Sequence, residues 1–319
     1  MWKLIPAAQA SALVTFGMAG IAVTMAVLLV IAVFLAARRH ALVAALVVIG
    51  VMLGEVALAA SGLFQRWDLR PPPFMLMFVP LTVLTVRLAL SRFGQTLALS
   101  LPIAVLIGAQ AFRLPLELVM HQAALEGVMP PQLSFAGYNF DIVTGATAIV
   151  LALLLVVKSA PRILLWLWNF MGLALLAGIV GLALASMPAL RLFGPDRVNT
   201  WVTYAPFVWL PGLLVQMALF GHILVWRKLN ATARERRGCH CDPANNHPAK
   251  RRTTISVAHQ TPAREPFWTR LPRTLRAIDD ALHYDPVVEM DQRIGRLEKQ
   301  MAGLAKDNSS RWRGGENAD

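Results

Sequence analysis

The chain has 319 residues, 56% hydrophobic and only 15% charged, with a mean hydropathy of +0.55. A soluble domain carries about a quarter charged residues, so composition excludes a soluble globular protein as a description of the whole. The net charge of +12 is unevenly spread: residues 1–226 hold 12 of the 30 Lys+Arg and 6 of the 18 Asp+Glu, and the rest fall in the last stretch.

That asymmetry reads as a membrane domain over residues 1–229 joined to a dense basic tail. Basic residues beside membrane spans follow from the positive-inside rule, so the charge is no signal for nucleic acid. Lys3 precedes an apolar run that continues to Ala37, too long for a signal peptide, and the run reads as a retained first span.

The all-α reading has seven spans: about Ala12–Ala37, Ala41–Leu63, Phe74–Leu90, Gln95 to at least Phe112, Asn139–Val157, Ile163–Met187 and Trp201–Trp226. Arg38, Arg39, Arg87, Arg92, Lys158, Arg162, Arg227 and Lys228 then share one side, expected to be cytoplasmic, which puts the N-terminus outside and the tail inside. Trp166, Trp168 and Trp226 are expected at the inner interface, Trp67 and Trp201 at the outer one. Gly50 and Gly54, and Gly172, Gly178 and Gly181, are expected to let helices approach closely. Pro80, Pro102, Pro206 and Pro211 fall inside spans and each removes a backbone donor.

The tail divides into a flexible basic linker (230–266), a short amphipathic helix (267–283), a heptad segment (285–306) and a disordered terminus (307–319). Phe267, Leu271, Leu275, Ile278 and Leu282, with Arg270, Arg273 and Arg276 between them, suit a helix lying on anionic lipid. Val287, Met290, Ile294, Leu297, Met301 and Leu304 keep a coiled-coil spacing and offer a surface for self-association, or for docking on the protein's own body. Cys239 and Cys241 are too few for a disulfide framework and match no closed zinc site.

The polar residues of the membrane domain converge on one stretch. Gln110, Arg113, Glu117 and His121 recur at helical spacing and share a face, where Arg113 is expected to pair with Glu117, and Glu117 with His121. The stripe falls at or beyond the outer end of the fourth span. Asn139 and Asp141 open the fifth span on the same side, Asn199 and Tyr204 the seventh, and Glu55 lies near mid-depth in the second. Together these nine residues outline an outward-facing polar chamber. In it Arg113 would hold an anionic group, and Glu117, His121 and Asp141 would move protons or bind a cation. The competing reading is an ion-pair network that fixes a loop and helix ends. Asn169 and His222 are expected near the inner face, too far away to join the cluster.

No P-loop, metal-binding helix, nucleophile elbow or haem attachment motif is found, and no cofactor, metal or catalytic residue is assigned. The segments Ala111–Glu117, Tyr138–Gly145, Trp168–Gly172 and Tyr204–Pro211 resemble an uncharacterised bacterial family of polytopic inner-membrane proteins. The resemblance covers about residues 10–230 and implies a location in the bacterial cytoplasmic membrane, with no chemistry attached. Three functions stay open: transport or binding of a small solute or ion in the chamber; a structural, regulatory or sensor role through the tail; and an intramembrane enzyme on a lipid-linked substrate.

Overall fold

The computed structural model describes residues 9–238, with side chains through Ala231. The heptad, the amphipathic tail helix, Cys239 and Cys241 lie outside the described residues. Within them the chain is helical and has no strand. Nine α-helices are described: α1 (Ala12–Ala37), α2 (Ala41–Ala60), α3 (Pro73–Leu90), α4 (Arg92–Ser100), α5 (Ile103–Gly108), α6 (Arg113–Leu125), α7 (Ile142–Val157), α8 (Arg162–Ala185) and α9 (Val215–Gly238).

Among the described residues, five helical stretches are long and apolar enough to cross a bilayer: 12–60, 73–90, 103–125, 162–185 and 210–231. The first contains both α1 and α2, broken at the turn Arg38–His40, and the apolar α7 is shorter than the rest. Large apolar side chains such as Phe16, Leu42, Leu84, Val150 and Leu167 stand exposed on the outer faces of these helices. So much exposed hydrocarbon is the surface of a membrane protein, covered by lipid rather than water.

Local chemistry sets the helix ends. Ser11 caps α1 by accepting from the Val14 amide, and its own amide donates to Glu126 at 2.8 Å, tying the start of α1 to the end of α6. Prolines at or just before the first turn open α3, α5 and α8. Pro102 also ends the expected fourth span: α4 stops at Ser100, and the apolar crossing is the later stretch 103–125. The polar stripe therefore lies inside a membrane-spanning segment and not beyond its end. At its other limit α9 runs through Asn230 to Gly238, past the expected start of the linker.

At one end of the bundle, Arg227 donates to the carbonyls of Ala89 and Ser91, both at 2.6 Å, and Lys228 to those of Ala98 and Leu101. These cations satisfy the open carbonyls where α3 and α4 finish. Arg162 reaches the Leu229 carbonyl, and the His40 ring meets Phe93 at 6.0 Å, so the basic turns gather at this end.

Two of the tryptophans expected at the interfaces are buried against the protein itself. Trp201 is buried with its ring 4.9 Å from Phe207, and Trp168 is buried and donates to Thr147 Oγ1. Gly50, Gly54, Gly178 and Gly181 face open space, so no close helix approach among the described residues uses them. Close approaches are made elsewhere, among them at Gly145, where a Cβ would strike the Leu114 backbone, and at Gly172, where it would strike the His222 ring.

Candidate functional site

The apolar interior forms two clusters, one built around Val14, Phe112, Leu176 and Leu214, the other around Ile107, Ala148, Trp168 and Phe220. Buried polar residues fall at two of the places in sequence where one cluster gives way to the other. Gln110 lies between Ile107 and Phe112, and Asn169 and Gly172 between Trp168 and Leu176. A hydrophobic bundle is divided by a polar layer.

Arg113 is the hub of that layer and is 1% exposed. Its Nη1 lies 3.1 Å from Asp141 Oδ1 and 3.2 Å from His222 Nε2. An arginine can only donate, so His222 Nε2 accepts, and its Nδ1–H donates to Asn169 Oδ1 at 2.9 Å. This assigns a neutral imidazole. Gly172 makes room for the ring. Asn169 and His222 thus belong to the site, contrary to the sequence expectation. The physical reason is depth: Arg113 starts α6 about ten residues into the stretch 103–125, roughly 15 Å along a helix, and its long side chain spans the rest. The pattern that could have announced them is a buried-helix His and Asn facing a glycine, Gly172.

The expected Arg113–Glu117 and Glu117–His121 pairs do not form as hydrogen bonds. Both carboxylate oxygens of Glu117 accept from Asn139 Nδ2 at 2.8 Å. Asn139 Oδ1 in turn accepts the Asp141 amide and so positions the start of α7. His121 turns away to Ser134 Oγ at 2.8 Å, with its ring 4.4 Å from Phe135. Gln110 Nε2 donates to the Ala218 carbonyl. Asn199 donates through Nδ2 to the Ala183 carbonyl. Tyr204 is only partly buried and packs at the edge of the first apolar cluster. Glu55 is 3% exposed and shares no hydrogen bond or ion pair with the cluster.

Arg113, Glu117, Asp141 and Asn199 line a cavity of about 80 Å³ whose remaining walls are apolar, among them Phe78, Leu176, Ile179 and Leu214. By the space one water needs, that is room for ~5 waters or a small organic group. Arg113 keeps two buried N–H groups, Nε and Nη2, without a partner. Those two atoms form the side-on fork that grips a carboxylate. Arg66 uses the same pair on Asp68, at 2.9 and 2.8 Å, on the protein surface.

No protein-family model, curated protein or solved structure matches the chain. Among the described residues, no group of three His, Cys, Asp or Glu side chains could hold a metal ion. The cavity wall presents a cationic fork beside two acids in otherwise apolar surroundings.

Proposed function

We propose that the protein binds, and carries across the bacterial cytoplasmic membrane, a small amphiphile with an anionic head. The observation that carries this reading is the unpartnered Nε–Nη2 fork of Arg113, buried at the wall of a mostly apolar cavity. Leaving two charged donors unsatisfied in hydrocarbon is costly, and a carboxylate or phosphate oxygen pair satisfies both. The apolar part of the ligand would run along Leu176, Ile179 and Leu214. Asp141 and His222 fix the other edge of the guanidinium, so the fork is preorganised.

The proposal includes the finer topology. Counting α1 and α2 as separate crossings and adding α7 gives seven spans, with the basic end cytoplasmic, the N-terminus outside and the chamber facing outward. The tail, with its anionic-lipid helix and its heptad, would then lie in the cytoplasm.

A second reading is favoured by the satisfied half of the network: the double hydrogen bond from Asn139 to Glu117 is what a purely structural pin needs. Hexanoate, hexanol and hexylamine, titrated against the purified protein by isothermal calorimetry, separate the two. Hexanoate is expected to bind tightest. Arg113→Lys, which keeps the charge and loses the fork, is expected to weaken it by at least about tenfold, roughly 1.4 kcal/mol. Equal binding of all three, or no binding by a folded protein, would leave only the structural pin.

A further inference from the structure

Glu55 lies on the buried face of α2 with Met52 and Ala59, and both of its carboxylate oxygens are buried without a hydrogen-bond partner. The elements packed closely on α2 bring it no charge. α1 carries no titratable side chain, nor do the turn Leu63–Gln65 and the π-helical turn Leu210–Leu214. Arg38, Arg39 and His40 precede the far end of α2, some fifteen residues away, roughly 22 Å along the helix. An unpaired carboxylate at such a place is expensive, so the group is stable there only with a proton on it. A metal cation would need several oxygens around it, whereas neither carboxylate oxygen has a polar partner.

The carboxyl group rests against the π-helical turn. It occupies the space beside Gly212 that a Cβ would fill. Pro211, the residue before, lines the cavity, as do Leu210 and Leu214. The turn is held from both sides: Trp209 Nε1 donates to the Met52 carbonyl at 3.1 Å, and Gln216 Nε2 donates to the Pro211 carbonyl at 3.0 Å. One five-residue turn thus separates the acid from the chamber. Single π-helical turns are frequent at functional sites.

We propose that Glu55 is a proton-binding site coupled to the cavity through the turn Leu210–Leu214. Loss of the proton to water leaves a carboxylate that cannot stay in its dry seat. It must draw water or move, and the turn that forms the cavity wall shifts with it. A proton bound here and an anion bound at Arg113 enter the membrane with no net charge. The coupling rests on the reading of the cavity as a solute site; the proton site does not.

The test uses the full-length protein in nanodiscs and dicyclohexylcarbodiimide, an apolar reagent that modifies protonated carboxyls, with the adduct located by peptide mass spectrometry. Glu55 is expected to be modified at mildly acid pH, with labelling falling about tenfold per pH unit above its midpoint. Glu55→Gln removes the adduct, and Gly212→Ala, which crowds the carboxyl, reduces it. Absent or pH-independent labelling of Glu55 would overturn the proton site, and so would protection by sodium ions. For the coupling, Leu210→Cys in a background lacking Cys239 and Cys241 is expected to react several-fold faster with a maleimide at alkaline pH, once each rate is divided by that of free glutathione at the same pH to remove the thiol's own ionisation. With Glu55→Gln added, that ratio is expected to be flat. A pH response that survives Glu55→Gln would overturn the coupling, whatever the outcome of the solute titrations.

Discussion

Glu117 and Glu55 are both buried acids near one cavity, and their surroundings are opposite. Glu117 has a dedicated amide, Asn139, bonded to both oxygens, and Arg113 and Asp141 line the same cavity. Glu55 has a glycine beside its carboxyl and no hydrogen-bond partner on either oxygen. The first environment fixes a side chain in place and makes it depend on its partners. The second leaves the acid independent of any partner and dependent on a proton. Removing a member of the network should therefore be damaging, and neutralising Glu55 should be almost free.

The largest effect is expected from Arg113→Ala, which strands Asp141 and Glu117 in the apolar core. A loss of about 3–5 kcal/mol is the usual consequence of removing one side of a buried pair. Thermal unfolding in detergent would show it, and adding Asp141→Leu should restore part of the loss. No rescue by the double variant would mean that Arg113 and Asp141 are not energetically coupled. Next comes Gly172→Ala, whose methyl overlaps the His222 ring and should cost about 1–3 kcal/mol by overpacking. An unchanged midpoint there would place His222 elsewhere.

Glu55→Gln sharpens the contrast from the other side: stability is expected within about 1 kcal/mol of the parent, because no partner is lost. A large destabilisation would reveal a partner for Glu55 and bring it into line with Glu117. The smallest effect concerns Glu126, which lies just past the membrane stretch. Hydrogen bonds from Ser11, and then from Gln122, hold its carboxyl below the ordinary glutamate range. A depressed folded pKa means the tie is fully present above the unfolded value and is lost as pH falls through the folded one. Hydrogen-exchange protection at the start of α1, corrected for the intrinsic pH dependence of amide exchange, should therefore fall on acidification, and Glu126→Gln should remove that change.

Much of this was legible in the chain. The apolar runs locate α1, α2, α3, α7 and α8 within a few residues, since hydrocarbon length and helix rise leave little freedom, whereas the fourth and seventh crossings begin eight and nine residues later than the runs suggest. Pro102 was legible as a break and its consequence was not, because Gln95–Ser100 is apolar enough to pass for part of a span. Arg113, Glu117, Asn139 and Asp141 were legible as a cluster, since charge in hydrocarbon must converge. His121 was misplaced because helical spacing shows which residues share a face and not which partner across the bundle wins. Ser134, from the following loop, takes it.

The amino-acid pattern by itself determined a helical membrane protein with a basic C-terminal stretch and a polar row in its middle third. Burial cost and hydrophobic periodicity are local properties, so they can be read along the chain. Only the tertiary structure decided which polar groups meet. It brought His222 and Asn169 to Arg113, freed one edge of the guanidinium, and seated Glu55 alone behind the π-helical turn. Those outcomes depend on helix depth, on close approach at glycines and on competition among distant partners, and none of these is written in the spacing of residues along a single helix.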